Sequence, residues 1–168
     1  RAAHLDWRVS KKPLYVIDES NREFLVPDRY AVVREDLMDG YFDPRRQPVL
    51  GVVSGAYTPL QNAKAFEFFD AIVGQDAAIY HTAGALGNGE RVWILAKLPS
   101  NMRVVGDDIV DKYLLLVNSH DGSTSVQLRF TPIRVVCQNT LMLALQAGPR
   151  LRVPHTRDLL RRLQDAQR

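Results

Sequence analysis

Residues 112–131 read KYLLLVNSHDGSTSVQLRFT, and this stretch decides the fold. Lys112 to Asn118 is a short apolar run. In the second half Val126, Leu128 and Phe130 alternate with Gln127 and Arg129. That period of two predicts a strand with one face on a core and the other toward water or a ligand. Between the halves, Ser119-His120-Asp121-Gly122 supplies turn chemistry, with Asp-Gly suited to positive φ. Two strands joined this closely must run antiparallel.

The same logic extends outward. Residues 77–83 and 91–98 read as a second hairpin around Gly84-Ala85-Leu86-Gly87-Asn88-Gly89, a loop too long for a two-residue turn. Upstream, residues 14–17 and 24–26 form a candidate hairpin around the polar 18–22, and Pro27 breaks the pattern. Residues 30–34 and 49–54 read as strands. Residues 58–74 read as a long helix. Thr58 is its cap, Pro59 its first turn, Gly74 its stop, and Ala65, Phe66, Phe69, Ile72 and Val73 recur at helical spacing. Downstream, Pro132 interrupts, residues 133–136 resume an apolar run, and residues 139–146 form a short helix stopped by Gly148-Pro149. Thr156 caps a last helix with Leu159, Leu160 and Leu163 inward. The expected class is α+β: a mainly antiparallel sheet built from hairpins, packed by one long amphipathic helix, with C-terminal helices. The expected division is a core over 1–148 and a basic helical segment over 149–168 that leads into a further C-terminal part.

The chain has 168 residues, 46% hydrophobic and 24% charged. This suits one globular domain and excludes wholesale disorder, collagen and coiled coil. No apolar run approaches the ~20 residues a membrane-spanning helix needs. One cysteine excludes an internal disulfide framework and a multi-cysteine zinc site. A start at Arg1 without a basic-then-apolar leader, and a stop at Arg168 within a helical pattern, lead to the expectation of a fragment from a cytoplasmic protein.

Tests for catalytic chemistry give little. The Gly84–Gly89 glycines reverse the dinucleotide fingerprint, and a strand follows them, so no helix N-terminus waits for a phosphate. Asp107, Asp108 and Asp111 read as a solvated turn rather than a cation site. Four scattered histidines give no zinc spacing, so no metal and no cofactor are expected. Cys137 reads first as a packed thiol. The alternative is a cysteine nucleophile at the start of a helix, with His120 or His81 as its base. Asn118, Ser119, His120, Asp121, Gln138 and Asn139 form a candidate polar site, or else serve as turn and helix-start residues.

Binding chemistry remains. Residues 141–168 hold six arginines against two aspartates. Arg91, Lys97, Arg129 and Arg134 lie on strand candidates beside Trp93, Tyr113 and Phe130. With Arg150, Arg152, Arg157, Arg161 and Arg162 they could neutralise phosphates while aromatics stack on bases of a single strand. The competing reading puts the aromatics in the core and the arginines on an ordinary surface.

Three stretches resemble a family of uncharacterised phage- and plasmid-borne proteins carrying the domain of unknown function numbered 932. They are Leu50-Gly-Val-Val-Ser with Tyr57-Thr-Pro-Leu-Gln-Asn and Ala65-Phe-Glu-Phe-Phe-Asp, then Arg91-Val-Trp-Ile-Leu-Ala-Lys-Leu-Pro, then Tyr113-Leu-Leu-Leu-Val-Asn-Ser-His-Asp-Gly-Ser with Phe130-Thr-Pro-Ile-Arg-Val-Val-Cys-Gln-Asn-Thr-Leu. The resemblance implies a mobile-element setting and carries over no catalytic motif. The functional expectation is an oligomeric protein of phage or plasmid DNA metabolism that binds single-stranded DNA, in annealing or recombination, without catalysis. The alternatives are a small cysteine-dependent enzyme and an interaction module acting on a host or plasmid factor.

Overall fold

The structure, a computed structural model, describes residues 4–38, 43, 45–74, 79–99, 112–146 and 148–166. Its elements are β1 (Val9–Ile17), β2 (Glu23–Arg34), a 3-10 turn (Glu35–Leu37), β3 (Val49–Val53), α1 (Asn62–Val73), β4 (Ile79–Leu86), β5 (Arg91–Lys97), β6 (Tyr113–Ser119), β7 (Val126–Thr131), α2 (Gln138–Ala144), β8 (Arg150–Val153) and α3 (Leu159–Asp165). They form two antiparallel sheets, ordered β1-β2-β3 and β4-β5-β6-β7-β8. The α+β class and the three hairpins are as expected.

Every residue of β6 is buried, so its sheet needs cover on both faces. Cross-strand partners share a face. Ile94, Ala96, Leu114, Leu116 and Val126 pack with Phe68, Phe69 and Val73 of α1 and with Leu159 and Leu163 of α3. Trp93, Leu95, Tyr113, Leu115 and Val117 pack with Val135 and with Leu141 and Ala144 of α2. A third cluster joins the sheets, where Trp7, Val9, Val32, Leu50 and Tyr57 meet Val92 of β5.

Several expectations need correction. The long helix is only the twelve residues of α1, and Thr58 does not cap it. Thr58 is instead tied to His155, donating its N–H to the His155 carbonyl at 2.9 Å and accepting from His155 Nδ1 at 3.0 Å. Gln61 precedes the helix, and its side-chain amide brackets the edge of β1. Its Oε1 accepts from the Val9 N–H at 3.1 Å and its Nε2 donates to the Val9 carbonyl at 2.8 Å. Gly74 ends the helix with φ +73°, as a glycine stop should. Pro27 does not end its strand, because residues 26–29 of β2 bulge opposite Leu14. A proline costs no ladder bond there. The Gly84–Gly89 loop shrinks to a turn over 87–90, since Gly84 lies inside β4. A Cβ on Gly84 would fall 2.5 Å from the Trp93 ring.

The reading of 149–168 as helical fails at its start: Arg150–Val153 is β8, an edge strand paired in register with β7. The inward stripe of the last helix is Leu159 and Leu163, whereas Leu160 is 52% exposed. The two faces of β7 do not divide into core and water as expected, because Val126 is buried on one face and Gln127 and Arg129 on the other. Arg129 is only 2% exposed and Phe130 is 40% exposed. The alternation was sound, but both faces of this sheet are covered, so period two could not say which side is wetter.

The hairpin of β1 and β2 extends beyond the cores. Tyr15, Val16, Ile17, Phe24 and Leu25 are all exposed there.

The α3 assignment makes a paired prediction for urea unfolding. Leu163→Ala should cost about 2–5 kcal/mol through lost burial and the cavity left behind. Leu160→Ala should change stability by about 0.5 kcal/mol or less. Equal losses would contradict this orientation of α3.

Candidate functional site

The polar residues of the β6–β7 hairpin turn inward. Asn118, Ser119 and His120 are buried, and so is Asn62 in the first turn of α1. His120 Nε2 lies 2.9 Å from Asn62 Oδ1. The amide oxygen can only accept, so Nε2 carries the proton and Nδ1 is a lone pair, buried without a partner. Asn118 Nδ2 donates to the Leu60 carbonyl at 2.9 Å, holding the chain ahead of α1. The Trp7 ring meets His120 edge-on at 5.3 Å.

A second layer adjoins this one. The Tyr57 hydroxyl donates to the Ser119 carbonyl at 2.6 Å, and the Tyr57 ring stacks on His155 at 4.6 Å. Burial first, then the Asp121 charge, pushes the Tyr57 phenol up, so it stays a proton donor. Burial would raise the Asp121 carboxyl. Hydrogen bonds from the Ser123 side chain and backbone and from the Ser119 hydroxyl, with the Arg91 charge, hold it below the usual range. Arg91 also donates to Ser123 Oγ at 3.2 Å. Beside this layer opens a cleft of about 410 Å³, walled by Ser54, Tyr57, Ser123, Ser125, His155 and Thr156.

Both histidines are held neutral. Burial first, then the neighbouring His155, takes His120 down to about 4, against a smaller opposing effect of Asp121. Burial lowers His155, opposed by its bond to the Thr58 carbonyl.

Seven of the nine predicted cations fall into two groups, while Arg134, expected on a strand, and Arg157 lie outside the strands and helices. Register places Arg91, Lys97, Arg129, Arg150 and Arg152 on the α2 face of the five-stranded sheet. Arg129 is opposite Arg150, and Arg152 is opposite Gln127. The Arg129 guanidinium donates to Gln127 Oε1 at 3.1 and 2.8 Å. Arg161 and Arg162 ride on α3, which packs on the other face. Arg161 pairs with both Asp158 and Asp165 at 3.6 Å. Arg134, Arg150, Arg152, Arg157 and Arg162 are exposed and make no ion pair among the described residues. Of the aromatics offered for stacking, Trp93 and Tyr113 are core residues.

Cys137 is exposed, not packed. Thr140, through backbone and side chain, lowers its thiol, and Sγ lies 3.5 Å from Thr140 Oγ1. His120 packs with α1 on one side of the sheet, while Cys137 opens α2 on the other. His81 stacks on Tyr113 at 5.5 Å. Gln138 and Asn139 begin α2 in exposed positions, apart from the Asn118–Asp121 cluster. Among the described residues, no group of three or more His, Cys, Asp and Glu side chains could hold a metal ion. Asp107, Asp108 and Asp111 lie outside the described residues.

Tyr57 and Asn62 were missed in the sequence, and His155 was noted only as one of the scattered histidines, not as part of this cluster. One signal was available for Asn62, a polar residue heading the stripe that continues at Ala65, Phe66 and Phe69. Nothing local marked Tyr57 or His155.

Neutral His120 makes stability depend on pH. The unfolded imidazole takes a proton near pH 6.5, the folded one only near 4. Between these values the unfolded state binds more protons, so stability falls as pH falls. The loss should approach about 3 kcal/mol by about pH 4 in urea titrations, with His155 adding in the same direction. A flat profile from about pH 7 to 4 would show that the ring is not held neutral.

No curated protein and no solved structure matches the chain significantly. No helix among the described residues is long and apolar enough to cross a membrane. Residues 49–168 match the family described as Domain of unknown function (DUF932), a span holding β3 to α3 and all of the five-stranded sheet. The chain therefore belongs to the DUF932 family.

Proposed function

We propose that this chain binds single-stranded DNA along its β8 edge, in annealing or recombination of phage or plasmid type, without catalysis. The observation that carries this reading is the uncompensated charge of Arg150 and Arg152. Both are exposed and unpaired among the described residues, and they share a sheet face with Arg129. Arg157 follows β8, and Arg161 occupies both nearby acids. Guanidinium groups spaced along an extended strand suit a chain of phosphates. Phe130, exposed on the neighbouring strand, projects from the opposite sheet face, so the reading rests on the charges and not on stacking.

Labelled oligothymidylate titrated against this protein should bind with a log–log salt slope of about −0.7 per phosphate contact. The double variant Arg150→Ala/Arg152→Ala should make the slope shallower by about 1.4. Lys64→Ala, which removes a cation paired with Glu67 on α1, should leave it unchanged. Absence of salt-sensitive binding would overturn the reading.

One observation favours the interaction-module reading beside this one. The β1–β2 hairpin exposes apolar residues on both faces, since Tyr15 pairs with Leu25 and Val16 with Phe24. Exposed apolar surface of this kind marks protein contact. β1 is also an edge strand, so two copies can add edge to edge about a twofold axis. Sedimentation at rising concentration should show self-association that Phe24→Asp abolishes; a monomer throughout would remove homo-oligomerisation.

A further inference from the structure

The cleft beside β8 has chemistry unlike the arginine edge. Among the described residues its walls carry no charged side chain. They offer the hydroxyls of Ser54, Ser123, Ser125 and Thr156 and the ring of His155. A phosphate would find no counter-charge there, so the cleft suits a neutral ligand rich in hydrogen-bonding groups.

The state of its wall narrows the ligand further. His155 is 8% exposed. Its Nδ1 donates to the Thr58 carbonyl, which can only accept. Nε2 of the neutral ring is therefore an acceptor, and it is buried with no partner. Thr156 Oγ1 is buried and unpartnered as well. Buried unsatisfied polar atoms are costly. A ligand that brings an N–H donor relieves that cost.

Position supplies the rest. Pro154, His155 and Thr156, all on the cleft wall, separate Arg152 from Arg157. We propose that the cleft is a nucleobase pocket: it takes the N–H-bearing edge of one unpaired base whose flanking phosphates lie at Arg152 and Arg157. This rests on the single-strand reading above and deepens it. Bases in a duplex already use that edge for pairing, so the pocket selects single strands.

Three 20-mers of equal phosphate charge test it: thymidylate, N3-methylthymidylate, which lacks the N–H, and an abasic strand. Thymidylate should bind this protein roughly tenfold more tightly than either of the others. His155→Phe keeps a ring against Tyr57 and removes both nitrogens; Thr156→Val removes the second unpartnered atom and covers the case in which the first variant fails to fold. Each folded variant should lose the preference for thymidylate while keeping the wild-type salt slope. Equal, salt-sensitive affinity for all three strands would overturn the pocket and leave the single-strand reading standing. An undiminished preference in both variants would also overturn it. Binding of none of the strands would remove both proposals together.

Discussion

Seven consecutive buried residues in β6 are the constraint from which the rest follows. A strand with no wet face must lie mid-sheet and be roofed on both sides. α1 and α3 cover one side and α2 with Val135 covers the other. The strand also ends in polar residues that remain buried, so the roof must bring hydrogen-bonding partners to that end. Asn62 at the start of α1 and the carbonyl of Leu60 do this. The helix is thereby fixed along its axis as well as against the sheet.

The polar cluster ties distant chain segments together, and two of its members are poorly tuned for proton transfer. A general acid or base works best with a pKa near the working pH. His120 is far below that, and Tyr57 far above. Both are committed to partners that hold chain segments together. The exposed thiol of Cys137 sits across the sheet from His120, which leaves that pairing unmade. Unpartnered acceptors remain at Asn118 Oδ1, His120 Nδ1 and His155 Nε2. They mark a region whose hydrogen bonding is incomplete within the described chain.

Hairpins were legible because their evidence is local: a short apolar run, then turn residues such as Asp121-Gly122, then a second apolar or alternating run. The middle of α1 was legible for the same reason, at a different period. The helix start was not, because Thr58 is occupied by His155, which lies 97 residues away. Tyr57 meets Ser119 across 62 residues, and Asn62 meets His120 across 58. Of the candidate polar site, the hairpin residues could be read from the chain; their partners could not. β8 was hidden because four residues with two arginines carry too little apolar pattern to announce a strand. Leu160 falls outside the buried stripe because it lies about 100° round the helix from Leu159, and α3 buries only the narrow face of Leu159 and Leu163.

The arginines on β8 have an alternative explanation. Charged residues blunt sheet edges and discourage edge-to-edge pairing. That purpose, however, does not require stacking like charges. Arg150 sits directly opposite Arg129, and Arg152 is two residues along on the same face. Burial first, and then those two charges, lowers Arg129, so the β8 arginines add to the positive potential on that face. Edge protection would be met as well by a lysine on either face. Like charges gathered on one face become favourable when an anion lies across them, because one phosphate chain relieves several repulsions together. This gathering of charge on one face is what supports the polyanion partner proposed above over simple protection of the edge.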